Sequence, residues 1–344
     1  MSGILKRLLQ PFLAVALGLA LGLGIAALGG DSAWVILKAL LNSAFGSRYD
    51  FGMTLFYSAP LVLTGLSVAM GLEAGLFNIG AEGQMGLGAL AAAAVGIGFP
   101  GVPWPLAPAL AVFAAFLAGA TWGAIPGWLR AKRGSHEVII TIMMNFIAAG
   151  VASYFTLYVF KAPHSQNSET SSVAAAYLIH PFAFFMDAPV SAALLLSLVI
   201  AGGTALFFRR TVAGYELRAV GANEMAARFA GIDVGRSQLL ALTFAGGIAG
   251  LAGIPEVLSA SGRFRMGFSP GYGFMGIAVA LLGRRRAMGI IAAALLFGAL
   301  QKGTAYLELD TQHVTRDLSQ ILQALVILSV SADGLWRWLK NDRL

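Results

Sequence analysis

Long apolar segments separated by short polar stretches recur along the whole chain. Each segment approaches the roughly 20 residues that a helix needs to cross the hydrocarbon core of a bilayer. The pattern therefore predicts an all-α, polytopic membrane protein with about ten transmembrane helices, in a single transmembrane domain that covers residues 1–344. The predicted spans are 11–29, 53–72, 82–99, 106–129, 138–160, 189–208, 237–257, 270–283, 287–306 and 317–332.

The polar stretches between the spans define two larger loops. Residues 161–188 form the longest loop predicted outside, and it either faces a delivery protein or only connects two helices. Residues 209–236 form the longest loop predicted in the cytoplasm. Residues 32–46 are typical of an external amphipathic helix, whereas residues 263–273 are too polar and glycine-rich to span the membrane.

The composition supports the membrane interpretation. Hydrophobic residues make up 58% of the chain and charged residues only 11%, with a mean hydropathy of +0.78, whereas about a quarter of the residues in a soluble domain are charged. The chain has no cysteine, which excludes disulfides, thiolate metal ligands and a thiol nucleophile. Glycines four residues apart, at Gly119, Gly123 and Gly127 and at Gly246 and Gly250, predict close packing between membrane helices.

The positive residues fall mainly on one side of the predicted membrane. The net charge of +7 comes from residues at the edges of the spans, and the absence of a basic patch beside stacking aromatics argues against a nucleic-acid partner. Placing the N-terminus in the cytoplasm satisfies the positive-inside rule, and an odd number of spans would destroy this bias. Both termini are therefore predicted in the cytoplasm. The residues on that side are Lys6, Arg7, Arg130, Lys132, Arg133, Arg209, Arg210, Arg218, Arg228, Arg236, Arg284, Arg285, Arg286, Arg337, Lys340 and Arg343.

A first group of polar residues interrupts the apolar pattern between the second and third spans. Residues 70–88 read MGLEAGLFNIGAEGQMGLG and contain Glu73, Asn78, Glu82 and Gln84. An ionisable group at membrane depth costs at least ~2.5 kcal/mol, so such groups usually face a cavity, a partner or a pathway. The four residues are thus candidates for a substrate pathway, and the alternative is a short cytoplasmic loop with solvated carboxylates.

A second candidate for the pathway lies within HEVIITIMMNFIA, residues 136–148. Asn145 lies nearly three turns into the predicted helix, and Phe146 follows it. An amide among soft apolar side chains suits a pathway lining. It is equally suited to a hydrogen bond with a neighbouring helix.

The long cytoplasmic loop contains a short predicted helix with small residues on one face. Asn223 is the predicted N-cap, and the helix runs from Glu224 to Ala230 and stops at Gly231. We expect Glu224 and Arg228 to be solvated, and the small residues to form a flat surface that a partner can grip. The residues assigned to this surface are Gly221, Ala222, Asn223, Ala226, Ala227, Ala230, Gly231 and Ile232.

Similar glycine-containing strings open two of the spans. GQMGLGAL begins at Gly83 and GFMGIAVA begins at Gly273, and each follows an irregular stretch. Repeats with broken helices near their interface are how many transporters form a substrate path. The two strings therefore predict a two-fold internal repeat with broken helices.

Several strings resemble enzyme motifs but lack the necessary context. GFSPG at 267–271 contains Ser269 and fits a nucleophile elbow, yet no strand precedes it. The four histidines, His136, His164, His180 and His313, are scattered, so no metal site is predicted. The chain contains no G-x-x-x-x-G-K-[ST] string, so it is not expected to hydrolyse a nucleotide itself. No catalytic residue and no cofactor is predicted.

Three strings together resemble a known family. GLFNIGAEGQM at 75–85, HEVIITIMMN at 136–145 and VGANEMAARFAGID at 220–233 stand in the order found in the permease subunits of bacterial ABC importers for nucleosides and simple sugars. This group also includes ribose and branched-chain amino-acid permeases. The first string is the most specific, and the first two together favour nucleosides over ribose.

The resemblance implies a mechanism and a set of partners. A soluble extracytoplasmic binding protein would deliver the substrate, and a separate cytoplasmic ATP-binding subunit would use ATP to drive alternating access in the bacterial plasma membrane. The stretch 221–232 resembles the coupling helix that contacts the ATPase. A second, different permease chain is implied, so a heterodimer is expected, although a homodimer is an alternative.

Two other classes of function are compatible with the residues alone. One is an ion-coupled transporter in which Glu73 or Glu82 carries protons. The other is a membrane-embedded enzyme that uses Ser269 or Glu82. Dependence on ATP and on partner subunits distinguishes the importer from both.

Overall fold

A computed structural model of the chain describes residues 13, 15–25, 27, 32–163, 165–304 and 318–331. These residues are largely helical, and within them extended pairing is limited to isolated bridges. The helices are α1 (Val15–Ile25), α2 (Ala33–Phe45), α3 (Arg48–Glu73), α4 (Ala81–Gly98), α5 (Leu106–Arg133), α6 (Glu137–Tyr154), α7 (Ala192–Arg210), α8 (Val212–Ala222), α9 (Glu224–Phe229), α10 (Val234–Gly250), α11 (Tyr272–Leu282), α12 (Ala287–Gly303) and α13 (Leu318–Ser331).

Each predicted span contains a helix, which confirms the all-α prediction for the described residues. Within the described residues, five helical segments are long and apolar enough to cross a membrane: Arg48–Glu73, Leu106–Arg133, Glu137–Val159, Ala192–Arg210 and Val234–Ser261. The chain is thus a helical, membrane-embedded protein. The two termini, whose cytoplasmic location was predicted, lie outside the described residues.

The chain divides into two compact units, and the first contains the described residues up to Tyr57 and from Leu295 onward. Lys302 at the end of α12 is 2% exposed, and its Nζ lies 2.8 Å from a carboxylate oxygen of Asp50 in the first turn of α3. This ion pair satisfies a charge that would otherwise be buried alone. The apolar core of the unit comprises Leu19, Leu23, Ile36, Ala39, Leu40, Leu300 and Leu322.

The second unit, residues 58–294, contains α4 to α11. Its most extensive helix contact joins α5 and α10 through the predicted glycines. A Cβ on Gly246 would lie 2.9 Å from the Cα of Gly123, and one on Gly119 would lie 2.8 Å from the Cα of Gly250. The two backbones therefore touch, as the four-residue spacing predicted.

Several helices in this unit end in irregular turns. A π-helical turn, Phe155–Val159, extends α6, and a 3₁₀ turn and a π-helical turn extend α10 to Ser261. Two of the non-helical stretches open a helix of this unit after a glycine-containing turn: residues 74–80, between α3 and α4, and residues 262–271, before α11. We call the first stretch the α3–α4 break. Both irregular stretches were expected from their glycines.

The loop at 161–188 is folded back onto the second irregular stretch. The Thr170 amide donates to the Phe264 carbonyl at 2.9 Å, and the Met266 amide donates to the Ser168 carbonyl at 2.9 Å. Glu169, only 5% exposed, pairs with Arg263 at 2.8 Å and with Arg265 at 3.3 Å. The hydrogen bond from the Ser165 hydroxyl, followed by the interactions with these arginines, lowers the pKa of Glu169 although its burial opposes this.

Candidate functional site

The α3–α4 break begins where α3 stops at a tight turn. The amides of Ala74 and Leu76 both donate to the carbonyl of Gly71 at 2.9 Å, and Gly75 has a positive φ of 74°. Glycine adopts this backbone conformation without the steric cost that a Cβ imposes. The turn sends the next residues back toward the helix bundle and places Asn78 inside it.

Asn78 and Gln84 form a sealed amide pair. The Asn78 Nδ2 donates to Gln84 Oε1 at 2.8 Å and to Ser67 Oγ at 3.0 Å, while the Gln84 Nε2 donates to Asn78 Oδ1 at 3.1 Å. The two residues are 0% and 1% exposed. Their polar atoms satisfy one another, as buried polar groups must. These two predicted pathway residues therefore hold the break together rather than face open space.

Asn145 joins α6 to the other end of the break. Its Nδ2 donates to the Ile79 carbonyl at 2.9 Å, and its Oδ1 accepts from the Gly83 amide at 2.9 Å. The hydrogen bond to a neighbouring element, one of the two alternatives for this residue, is thus present. Asn145 also lines a cavity, which accords with the other alternative, a residue that lines the pathway.

Glu82 lies where the first turns of α4 and α11 meet. Its Oε2 accepts from the Gly273 amide at 2.7 Å, and its carboxylate is also hydrogen-bonded to Ser269. The absence of a side chain at Gly273 allows this approach, because a Cβ there would lie 2.5 Å from the Cα of Glu82. The carboxylate at the start of α4 is favourably placed near the positive end of the helix dipole.

A partly open cavity of about 140 Å³ lies beside Glu82 and Asn145. Its wall combines one carboxylate and one amide with methionines, aromatic rings and small residues, the mixture expected for a site that binds a small, partly apolar molecule. The lining residues are Glu82, Gly83, Met85, Gly86, Asn145, Ala148, Ala149, Ala152, Phe264, Met266, Gly267, Phe268 and Ser269.

Two predicted pathway residues lie elsewhere. Phe146, which was predicted to line the pathway beside Asn145, is 70% exposed and lies outside the described cavity lining, because a one-residue step on a helix rotates the side chain by about 100°. Its role in the pathway stays a prediction. Glu73 is half-buried and lies 3.6 Å from Arg285, a residue predicted in the cytoplasm. This ion pair accords with the alternative of a short cytoplasmic loop, and the pathway role of Glu73 stays a prediction.

Sequence reasoning missed the contribution of the second irregular stretch to the cavity. Phe264, Met266 and Phe268 line it, although residues 263–273 were regarded only as a segment that cannot span. Their glycines were the available signal, since irregular backbone at membrane depth occurs where it lines a cavity or is buried in protein.

Ser269 has a structural role within this stretch. Its hydroxyl oxygen accepts from the amides of Gly271 and Tyr272, both at 3.0 Å, and so caps the start of α11. Among the described residues, no group of three or more His, Cys, Asp or Glu side chains is arranged to hold a metal ion. His164 and His313 lie outside those residues.

The predicted cytoplasmic helix is α9. Asn223 caps it by accepting from the Ala226 amide at 3.0 Å, and the chain leaves the helix through Gly231, whose φ is 81°. Glu224 is exposed but also paired, since its carboxylate lies 3.4 Å from Arg130 and accepts from Gln238 at 2.9 Å. The cap and the end of the helix confirm the prediction to within one residue.

The surface that α9 presents differs from the predicted one. Ala227 is only 3% exposed because it packs against Val220 and Val234, so the prediction that Ala227 faces a partner is wrong. The exposed face instead carries Met225, 70% exposed, and Phe229, 89% exposed. Ala226 and Ala230 are exposed beside them. The apolar surface open to a partner is therefore larger than small residues alone would make it.

Comparison with known proteins identifies the class. Residues 51–331 match the family described as the permease component of branched-chain amino-acid transport systems. The chain is 37% identical over 334 residues to the guanosine ABC transporter permease protein of Bacillus subtilis, covering 95% of this chain and 94% of that one. It is 37% identical over 341 residues to the glucose ABC transporter permease protein of Haloferax volcanii, covering 94% and 88%. It is 32% identical over 339 residues to the nucleoside ABC transporter permease protein of Lactococcus lactis subsp. cremoris, covering 96% and 92%.

These matches span nearly the full length of the relatives and include the α3–α4 break, α6 and α9. The predicted resemblance is therefore confirmed, and the enzyme and ion-coupled alternatives are set aside. The chain belongs to the family of permease components of branched-chain amino-acid transport systems, and it is a membrane-embedded transport subunit of the ABC class.

Proposed function

We propose that this chain passes nucleosides inward across the bacterial plasma membrane and that the cavity beside Glu82 and Asn145 is part of the substrate path. The observation that carries the proposal is a carboxylate and an amide beside aromatic and thioether side chains in one cavity. Relatives that are named as guanosine and nucleoside permeases support the same class of substrate.

The chemistry of the cavity suits an uncharged substrate. A carboxylate has about four acceptor sites, so Glu82 retains capacity for a substrate hydroxyl beyond its bonds to Gly273 and Ser269. Phe264 and Phe268, whose ring centroids lie 5.8 Å apart, provide apolar surface for a base. The described lining contains no Lys, Arg or His side chain that would neutralise a phosphate.

We assign the exposed face of α9 to the cytoplasmic ATP-binding subunit, which would bind and hydrolyse the ATP. Two large apolar side chains, Met225 and Phe229, project from a capped helix, and exposed apolar anchors of this kind dominate many helix-in-groove contacts. Gly221, Ala222, Ala226, Ala230 and Ile232 complete this coupling loop. Within the loop, the missing Cβ of Gly221 is directed at the backbone of Glu73, Ala74 and Gly75, so a side chain there would meet this chain itself.

The remaining assembly follows from the family. A second permease chain, expected to differ from this one, would pair with it, and an extracytoplasmic binding protein would deliver substrate on the side of the 161–188 loop. Lipid would cover the exposed apolar faces of the long helices. About ten spans with both termini in the cytoplasm accord with the positive-inside rule.

A two-fold repeat with broken helices is also part of the proposal. The support is that α4 and α11 each follow an irregular, glycine-containing stretch and that their first turns are joined by the bond from Gly273 to Glu82. Paired broken helices at a substrate site are typical of membrane transporters.

The test is uptake by membrane vesicles that contain this chain, its partner permease, the ATPase and the binding protein. We expect ATP-dependent accumulation of labelled guanosine that unlabelled nucleosides compete away and that an ionophore leaves unchanged. Accumulation of glucose instead, the substrate named for the Haloferax relative, would replace the nucleoside assignment while preserving the transport function. Absence of ATP-dependent uptake of both would refute the proposed function.

A further inference from the structure

We propose that the α3–α4 break, residues 74–80, links the cytoplasmic coupling loop to the cavity, and that Gly221 and Gly75 form its input contact. This inference rests on the proposed function, because it requires that α9 receives the force of an ATPase and that the cavity holds the substrate. It assigns a positioning role to residues 74–80, none of which belongs to the proposed ATPase contact or to the described cavity lining. Gly221 of the coupling loop enters through its backbone contact with them.

The input contact joins two backbones. A Cβ on Gly221 would lie 2.8 Å from the Gly75 amide nitrogen and 2.9 Å from the Ala74 carbonyl carbon, and the Glu73 carbonyl oxygen lies closer still. Gly221 lies two residues before Asn223, the cap of α9. A displacement of α9 therefore reaches the break without passing through a flexible side chain.

The interior of the break is tied to both flanking helices. Asn78 donates to Ser67 in α3 and exchanges two hydrogen bonds with Gln84 in α4. All three residues are buried, so water cannot substitute for these bonds. The break is therefore expected to move together with the first turns of α4 rather than bend independently.

The end of the break that leads into α4 reaches the cavity. Asn145 holds the Ile79 carbonyl and the Gly83 amide at 2.9 Å each, and both Asn145 and Glu82 line the cavity. A shift of the break thus changes the relation between α4 and α6 at the cavity wall. The route from the cytoplasmic surface to the cavity consists of direct contacts throughout.

A parallel contact joins α9 to α6. Arg130 lies 3.4 Å from Glu224 at the start of α9 and 3.5 Å from Glu137 at the start of α6. This bridge is partly exposed, and such pairs contribute little energy. We therefore expect it to help orient α9, with the direct backbone contact between Gly221 and the break carrying the larger share of the coupling.

The first test is the Gly221→Ala variant, with Gly235→Ala as its matched control. A Cβ on Gly235, in the first turn of α10, would make only ordinary contacts, at 3.5 Å with the Cβ of Ala131 and an oxygen of Asp233 and at 3.7 Å with the Ala131 carbonyl. In the full transporter we expect Gly221→Ala to retain the ATPase subunit on purification and to hydrolyse ATP, but to transport about fivefold less substrate per ATP hydrolysed. The control should match wild type.

Normal transport per ATP by an assembled Gly221→Ala transporter would overturn the proposal. Failure of the proposed function itself would be recognised separately, because the wild-type transporter would then show no ATP-dependent uptake.

The second test uses the wild-type transporter and does not depend on a variant that folds. Hydrogen exchange is measured in lipid nanodiscs with and without a non-hydrolysable ATP analogue. We expect the exchange of amides in residues 74–80 to change together with that of residues 221–232. A change in 221–232 with none in 74–80 would overturn the proposal whether or not Gly221→Ala assembles.

Discussion

Two polar pairs lie close together around the start of α4 and have opposite surroundings. Asn78 and Gln84 are almost fully buried and satisfy each other through two hydrogen bonds. Glu82 and Asn145 also make hydrogen bonds to the protein, but they line a cavity of about 140 Å³. Within residues 78–84, Glu82 of the open pair lies between the two members of the sealed pair, whereas Asn145 comes from α6.

The difference shows that polarity at membrane depth does not by itself indicate a substrate path. The high cost of an unsatisfied polar group can be avoided in two ways, by a protein partner or by contact with a cavity and its contents. The sealed pair uses the first way and the open pair uses both. Changes in the sealed pair should therefore affect stability, and changes in the open pair should affect transport.

The largest expected effect comes from the sealed pair. Asn78→Ala leaves the amide of Gln84 buried without its partner, so we expect a loss of about 2 to 4 kcal/mol in the free energy of unfolding. Chemical unfolding of the purified protein in detergent would measure it. The double variant Asn78→Leu with Gln84→Leu removes both partners and should recover part of the loss, whereas equal instability of the two would contradict the pairing.

A change in the open pair should have the complementary effect. Glu82→Gln retains an acceptor for the Gly273 amide but removes the negative charge, so we expect uptake to fall about tenfold with little change in unfolding. Transport by vesicles containing the whole complex is the measurement. Glu73→Gln is the matched control, because Glu73 lies outside the cavity lining and pairs with Arg285. Equal losses in the two variants would remove the special role of Glu82.

The same distinction between buried and exposed positions applies to α9. Phe229→Ser removes an 89% exposed ring, and we expect affinity for the ATPase subunit to fall about fivefold while unfolding is unchanged. Copurification in mild detergent at graded subunit concentrations measures the affinity.

Ala227→Arg provides the contrast: it places a charge in the packed contact with Val220 and Val234, and should destabilise the protein. Stable folding of Ala227→Arg would contradict the burial.

The smallest effect is expected at the external loop, where Glu169 is buried but titratable. The Ser165 hydroxyl and the arginines at 263 and 265 lower its pKa, so the native loop favours the charged form. The resulting stability is present above the ordinary Glu range and is lost as pH falls through the lowered pKa. Proteolysis of the 161–171 segment should therefore increase on acidification below about pH 4. Glu169→Gln should be cleaved readily at neutral pH, and protection of that variant would argue against the ion pairs.

Much of the fold followed from local patterns in the sequence. Apolar segments of membrane length predicted the helices, glycines four residues apart predicted helix faces that pack closely, and Asn223 with Gly231 predicted the ends of α9. Each of these depends on residues close together in the chain, because capping, helix propensity and the apolar requirement of lipid act locally. The three strings that resemble the permease family predicted the class of transporter.

The candidate site depended on contacts between distant residues, which only the tertiary structure decided. The sequence by itself established which residues are polar within the membrane segments, but not that Asn78 faces Gln84, that Glu82 reaches Gly273, or that Phe146 points away from Asn145. It also placed Ala227 on the wrong side of α9, because the residues that bury Ala227, Val220 and Val234, lie on other helices. Hydrogen bonds and burial depend on what a neighbouring element supplies at each position, and that neighbour is set by packing rather than by local sequence.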